Sequence, residues 1–462
     1  SFEKNMNTMQ TSQKNEENIS TKNVRLKDTK GKVFPSLQPA GQSFASPSPR
    51  GNAPKTPRKS TANYAVLDEF TDGKIFDENY ALASHYIQLQ DSIAGEKYRK
   101  ILEQNGLDVS KFPETDDFNA KLDVPFGTPK NPSFTFIDLF AGIGGFRLAM
   151  QSCGGQCVFS SEWDNAAKQT YFENYGEVPF GDITKPETKD FIPEKFDVLC
   201  AGFPCQPFSN AGLKKGIEDT RGTLFYHIAE ILEKHYPKVV LLENVRGLIS
   251  NDKGKTLKTI LQTITDIGYK CNIPQEIIDN GSVAKLQKEA SKMILSAKNF
   301  GVPQNRPRIY IILWKKELNI DKFEYPAPLN IETHVGDILI KDELLTAPFT
   351  ISDKLWKGHQ DRKIRNAQKG NGFGYCSFNS ESSYTSTLSR RYYKDGSEIL
   401  IEQNGKNPRK LTPREAARLQ GYSDLFRLHP SNTESYKQFG NSVAVPVVTA
   451  VSQNIVNQIL GR

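Results

Sequence analysis

Five short apolar runs constrain this chain more than any other feature: FTFIDLFAG, QCVFSSEW, FDVLCAGFP, KVVLLENV and PRIYIILW, all from Phe134 onward. Helical patterns lie between them. Apolar strands alternating with helices predict an α/β fold with a doubly wound, mostly parallel sheet covered on both faces and ligands bound at the carboxyl ends of its strands. Each run carries its chemically distinctive residues at that end.

Around this core the texture changes. Residues 1–62 are rich in Ser, Thr, Asn, Lys and Pro without apolar periodicity, and are expected to be a disordered basic tail. They hold 11 Lys/Arg against 4 Asp/Glu, which accounts for the whole net charge of +7. Such a tail is either a solvated extension or an arm attracted to phosphates. Residues 63–130 read as a helical extension and linker: one helical pattern runs from Asp77 to Gln104, with Asp77 as cap and Gly106 as stop, followed by the Pro-rich FPETDDFNAKLDVPFGTPKNP. The sheet domain is expected over 131–325. A smaller, turn-rich and β-like domain spans 326–408, and 409–462 returns to the first domain.

The six cysteines are scattered, with no CxxC pair and no His/Cys cluster at zinc spacing, so neither disulfides nor a metal site is expected. No run of eighteen apolar residues and no charged-then-apolar leader occurs, which predicts a cytoplasmic protein without membrane association, or a nuclear one if the source is eukaryotic.

In FIDLFAGIGGFRLAM a strand enters a turn at Gly142, Gly144 and Gly145 and leaves as a helix. The spacing is not GxGxxG, and no Lys-Ser/Thr follows, so a dinucleotide or triphosphate is disfavoured. The glycines alone fit either close approach to a compact ligand or tight helix–strand packing. Glu162, at the next strand end, is placed for ribose hydroxyls, Trp163 offers a face to an adenine, and Asp182 can accept from an exocyclic amine. Together they suit an adenosyl ligand.

The motifs GFPCQPFSNAGL, DTRGTLFYHIAEIL, LLENVRGL, GVPQNRPRIYII, RKLTPREAARLQGY and YKQFGNSVAVPVV, following FIDLFAGIGGFRLAM in this order, resemble those of C5-cytosine-specific DNA methyltransferases of the bacterial restriction-modification type. The resemblance covers roughly residues 134–460. It implies the S-adenosylmethionine-dependent methyltransferase fold with a smaller β-rich target-recognition domain, and S-adenosylmethionine as cofactor.

It also implies roles. Cys205 is the nucleophile that attacks C6 of cytosine, because C5 is too poor a nucleophile until a thiolate has added across C5–C6. Glu243 holds N3 and the 4-amino group, where negative charge builds on the ring. Asn244 orders the cysteine loop, Arg308 contacts the cytosine O2, and Arg306 supports the cysteine loop. The cofactor set comprises Asp138, Phe140, Gly142, Ile143, Gly144, Gly145, Glu162, Trp163, Asp182, Ile183, Pro204, Asn441, Ser442 and Val443. The other five cysteines are expected to be inert.

A target base inside a duplex must be flipped out, so 326–408 is expected to grip double-stranded DNA. Its segment TSTLSRRYYKDGSEILI resembles the recognition segment of the branch methylating CC…GG sites (CCWGG, CCNGG or CCGG). That points to Arg390, Arg391, Tyr392, Tyr393, Lys394 and Asp395 as DNA contacts. About eighteen residues, 281–298, look inserted and are expected to form an exposed basic helix. The enzyme is expected to act as a monomer, with a cognate restriction endonuclease sharing its site but forming no stable complex. Two alternatives stand beside this reading: a tRNA cytosine-5 methyltransferase of the same superfamily, and a catalytically silent DNA-binding regulator.

Overall fold

A computed structural model describes residues 63–71, 77–204, 223–341, 344–345 and 349–461. The tail, residues 1–62, and Cys205 lie outside them. The strands are β1 (Phe134–Leu139), β2 (Gly155–Ser161), β3 (Val198–Gly202), β4 (Val239–Val245), β5 (Tyr269–Lys270), β6 (Ile294–Ser296) and β7 (Pro307–Lys315) in one sheet. Its order is β2-β1-β3-β4-β7-β5, with β6 also paired to β7. The first four are parallel, and the pairings of β7 with β4, β5 and β6 are antiparallel. From β1 the chain goes to one side to make β2 and to the other to make β3. That reversal opens a crevice at the carboxyl ends of β1 and β3, where doubly wound sheets bind ligands.

The strands are buried on both faces, so successive residues enter different cores. Ile137, Leu139, Leu199, Val240, Leu242, Ile309 and Ile311 belong to one. Phe136, Val198, Cys200, Leu241, Tyr310, Ile312 and Trp314 belong to the other, with Val447, Val448 and Val451 of the C-terminal helix Val445–Ile455. The stretch Asn432–Leu460 is long and apolar enough by composition to cross a membrane. It is instead interrupted at 442–444, and much of it is buried in this second core.

Several N-terminal expectations need correction. The helical pattern from Asp77 is two helices, Asp77–Leu89 and Ile93–Gln104, with the Ser92 hydroxyl capping the second through Gly95 N–H. The two pack so closely that a Cβ on Gly95 would lie 1.9 Å from the Leu89 carbonyl oxygen. Nor are they an appendage. Ile87, Tyr98 and Leu102 enter the first core, and the Tyr98 hydroxyl donates to the Val158 carbonyl of β2. The Pro-rich connection contains a further helix, Thr115–Leu122, anchored by buried Phe118. Within 281–298 the helix Val283–Ser291 buries Leu286 and Ala290, and the segment also contains strand β6, so only the helix's outer side is exposed and basic.

A second sheet contains β8 (Ser377–Phe378), β9 (Leu400–Gln403) and β10 (Lys406–Lys410). Preceding it is the helix Asp353–Gln368, unforeseen because only His359 on it is buried and no apolar stripe marks it.

Candidate active site

A cavity of about 630 Å³ opens at the carboxyl ends of β1, β2, β3 and β4, closed on another side by the Gly440–Val443 segment. The chain leaves β1 through three residues with positive φ, Phe140 at 56°, Gly142 at 55° and Gly144 at 82°. For Phe140 this is a strained conformation, of the kind that clusters at ligand sites. The glycines divide between the two uses left open by the sequence. Gly142 faces open space, whereas a Cβ on Gly144 would strike the Tyr175 ring and one on Gly145 the Val443 methyl. The first shapes the cavity, Gly144 permits close packing, and Gly145 does both, packing on Val443 while lining the cavity.

Glu162 braces this turn. Its Oε2 accepts Gly142 N–H at 2.7 Å, and its Oε1 accepts the N–H groups of Trp163 and Asp164 at 2.9 and 2.8 Å. Burial raises its pKa, while these donors pull the other way. A carboxylate offers about four lone-pair sites, so one remains for a hydroxyl. Trp163 is 79% exposed and lines the cavity, as do Ile143, Asp182, Ile183 and Pro204. Asp182 already accepts Thr184 N–H at 2.9 Å on Oδ1. Asn441, Ser442 and Val443 form the facing wall, with Ser442 Oγ 2.7 Å from the Tyr422 hydroxyl. Asp138 and Gly144, expected among the cofactor contacts, do not reach the wall. Asp138 is fully buried beneath it, neither oxygen taking a well-formed hydrogen bond among the described residues.

On the other side, Glu243, near the carboxyl end of β4, meets Arg308, whose Nε lies 3.3 Å from Oε1. Burial pushes the Glu243 pKa up, opposed by Arg308 and then Arg306. Asn244 turns the opposite way, and its Nδ2 donates to the Phe203 carbonyl at 2.8 Å, two residues before Cys205. Burial pushes the thiols of Cys153 and Cys271 up to about 11 and likewise raises those of Cys157 and Cys200, which suits inert cysteines.

Arg306 was expected to support the cysteine loop. That loop lies outside the described residues; among them, the Arg306 donors reach backbone carbonyls: Nη1 to Leu388 at 2.8 Å, Nη2 to Gly440 at 3.0 Å and to Ser442 at 2.8 Å. It thereby ties the recognition segment to the cofactor wall.

Of the proposed DNA contacts, Arg390, Arg391 and Lys394 are exposed, and only Arg390 lines the cavity. Tyr392 is not a surface residue. It is fully buried, donating to the Ile399 carbonyl and accepting Leu411 N–H. Asp395 is likewise committed to structure, accepting from Arg362 at 3.0 Å and Ser397 N–H at 3.1 Å. Tyr393 is half-buried beneath the Lys437 ammonium, 5.3 Å from its ring centre. Sequence reasoning missed Gly440 and Lys437, although both fall inside YKQFGNSV, and Gln304, which donates to the Leu419 carbonyl and accepts Leu388 N–H.

Residues 134–457 match the description C-5 cytosine-specific DNA methylase. The chain belongs to that family. It is 49% identical to the Type II methyltransferase M.SsoII of Shigella sonnei, over 76% of this chain and 85% of that protein. To M.HpaII of Haemophilus parainfluenzae it is 45% identical, over 72% of this chain and 93% of the relative. The S. pombe Dnmt2 methyltransferase structure shares the fold, with a TM-score of 0.52 at 19% identity over 70% of this chain and 98% of that one. The two Type II relatives are bacterial, so the nuclear placement allowed for a eukaryotic source is not borne out.

The enzyme is thus a DNA cytosine-5 methyltransferase that uses S-adenosylmethionine. The cavity volume falls in the range of small-molecule sites, and the open Gly142 backbone, the free lone pair of Glu162 and the exposed Trp163 ring fit an adenosyl group. When bound, this cofactor supplies an electrophilic sulfonium methyl group.

Proposed function

We propose that this methyltransferase modifies the inner cytosine of a CC…GG duplex site, of the CCWGG, CCNGG or CCGG type, after flipping it out of the helix. The Cys205 thiolate adds to C6 while Glu243 delivers a proton or hydrogen bond to N3. The electron pair released toward C5 would take the sulfonium methyl group, the C–S bonding pair staying with the departing thioether. Loss of the C5 proton to solvent base then expels the thiolate, returns any N3 proton to Glu243 and restores the aromatic ring.

One observation carries this reading: a single strand end both aims Glu243 at the cavity beside Arg308 and, through Asn244, grips the Phe203 carbonyl leading to Cys205. Arg308, the cation beside Glu243 on the cavity wall, is the group for the cytosine O2. Glu162 and Trp163 hold the ribose and adenine, with Asn441 near the amino-acid end of the cofactor. Residues 326–408 serve as the recognition domain, and the enzyme works as a cytoplasmic monomer beside an endonuclease of the same specificity.

Bisulfite sequencing of host DNA after expression, with duplex DNA and tRNA compared as acceptors of labelled methyl groups, tests this. Methylation confined to the inner cytosine of a CC…GG site is expected. Methylation of tRNA alone, or of an unrelated site such as GCGC, would overturn it.

A further inference from the structure

Where the recognition segment meets the helix Asn432–Asn441, two backbones touch. A Cβ on Gly440 would lie 2.3 Å from the Ser389 carbonyl oxygen and 2.4 Å from Arg390 N, so only glycine permits this approach without displacement. Arg306 fastens the same junction by donating to Leu388 on one side and Gly440 on the other. Buried Tyr392, hydrogen-bonded at both its lone pair and its proton, fixes the short helix Arg390–Tyr393 from below. The consequence is positional. Arg390 from one backbone and Lys437 from the other come to the wall of the cavity that also holds Glu243.

Their charges are not consumed there. Lys437 donates to Glu434 at 2.8 Å in an i,i+3 pair with about 30% of its side chain exposed, and such surface pairs are weak. Arg390 is exposed, and among the described residues no carboxylate pairs with it. Two cations against one Glu434 leave this edge positive at the mouth through which a flipped nucleotide must pass. Its flanking phosphates follow the base to that mouth.

We infer that Arg390 and Lys437 form a phosphate clamp for the target strand beside the flipped cytosine, held in register by the Gly440 contact. Arg390 therefore positions the backbone and does not read a base, which refines the role given to its segment above. The inference rests on that reading of the substrate. Phosphate contacts carry no sequence information but add to the salt dependence of binding, each by about 0.9 in the slope of log K against log salt.

The test uses the full chain with S-adenosylmethionine, and duplexes with and without the methylated site, titrated over a range of salt. Arg390→Gln should lower the slope by about 0.9 on both duplexes and leave their affinity ratio unchanged. Lys437→Gln should act in the same direction but less, because Glu434 remains. Gly440→Ala should reproduce the loss with Arg390 still present, by shifting its backbone. The dissociation constant for S-adenosylmethionine should change less than twofold in Arg390→Gln, which also reports folding.

An unchanged slope in Arg390→Gln would overturn the clamp. So would a loss confined to the cognate duplex, which would make Arg390 a base reader, or a loss of cofactor affinity alone, which would assign it to the cofactor carboxylate. If the wild-type protein methylates no duplex DNA, the functional reading fails; if it does and the slope is unmoved, only the clamp fails.

Discussion

Arg308 Nε lies 3.3 Å from Glu243 Oε1, across the antiparallel ladder of β4 and β7. In the proposed mechanism Glu243 is the acid, and this pair sets its strength. Burial raises the Glu243 pKa and Arg308 limits the rise, so the carboxyl keeps its proton to a higher pH than a free glutamate. A donor to N3 works only while protonated, so the rate under saturating substrates should fall as pH rises through the raised value. Glu243→Gln should lower kcat by about 10² to 10⁴-fold and flatten that alkaline limb, since an amide does not titrate. Single-turnover pH profiles of both proteins check this; an unaltered limb in the variant would remove Glu243 from the proton step.

Asn244 holds the Phe203 carbonyl, two residues before Cys205. Removing its side chain leaves the Phe203 carbonyl without its donor, at a cost of about 1–3 kcal/mol for a buried acceptor. Asn244→Ala should therefore reduce kcat by more than tenfold with cofactor affinity nearly unchanged, because Glu162 and the Gly142 turn do not depend on it. A fall in cofactor affinity as large as that in kcat would show the effect to be general unfolding of the cavity.

The proposed nucleophile, Cys205, can be tested directly. On duplex DNA carrying 5-fluorocytosine at the target, addition and methyl transfer proceed, but fluorine cannot leave C5 as a proton does, and the adduct persists. Wild-type protein with S-adenosylmethionine should give a denaturation-resistant complex mapping to Cys205. Cys205→Ser should give none while still binding the cofactor. A cross-link at Cys200 or Cys153, both with thiol pKa values raised by burial, would contradict the assignment.

What the sequence made legible follows from how local each signal is. Glu162, Glu243 and Asn244 stand at strand ends, where a run of apolar residues fixes both the strand and the edge at which its ligand-facing residues emerge. The N-terminal helices were legible as helices but not as core, because a periodic apolar face says that something is buried and not against what. Their partner, β2, lies some sixty residues away, as the Tyr98 to Val158 bond shows. Tyr392 looked like a surface reader because its neighbours are Arg391 and Tyr393. Only the folded chain brings Ile399 and Leu411 to its hydroxyl. Helix Asp353–Gln368 left no apolar stripe to find, being held by polar contacts such as Arg362 to Asp395.

Asp138 gives the last prediction, one in which stability and binding part company. It sits fully buried in β1 beneath the cavity, and desolvation raises its pKa well above the usual carboxylate value, with Arg147 opposing. In the unfolded chain the group ionises near 3.8; in the folded protein it holds its proton to higher pH. Its contribution is therefore fully present below pH 3.8 and is lost progressively as pH rises toward the folded value. Asp138→Asn cannot ionise and escapes that loss. The variant should be more stable than the wild type at pH 8, by about 1–3 kcal/mol, with the gap closing toward pH 4. Because Asp138 does not reach the cavity wall, cofactor affinity should fall far less than in Glu162→Gln, which loses charge from a carboxylate bracing the Gly142 turn. Thermal unfolding at pH 4, 6 and 8, with cofactor titrations of both variants, decides the matter. A destabilised Asp138→Asn at pH 8 would mean that the carboxylate is charged and paired with Arg147. A loss of cofactor affinity equal to that of Glu162→Gln would return Asp138 to the binding surface.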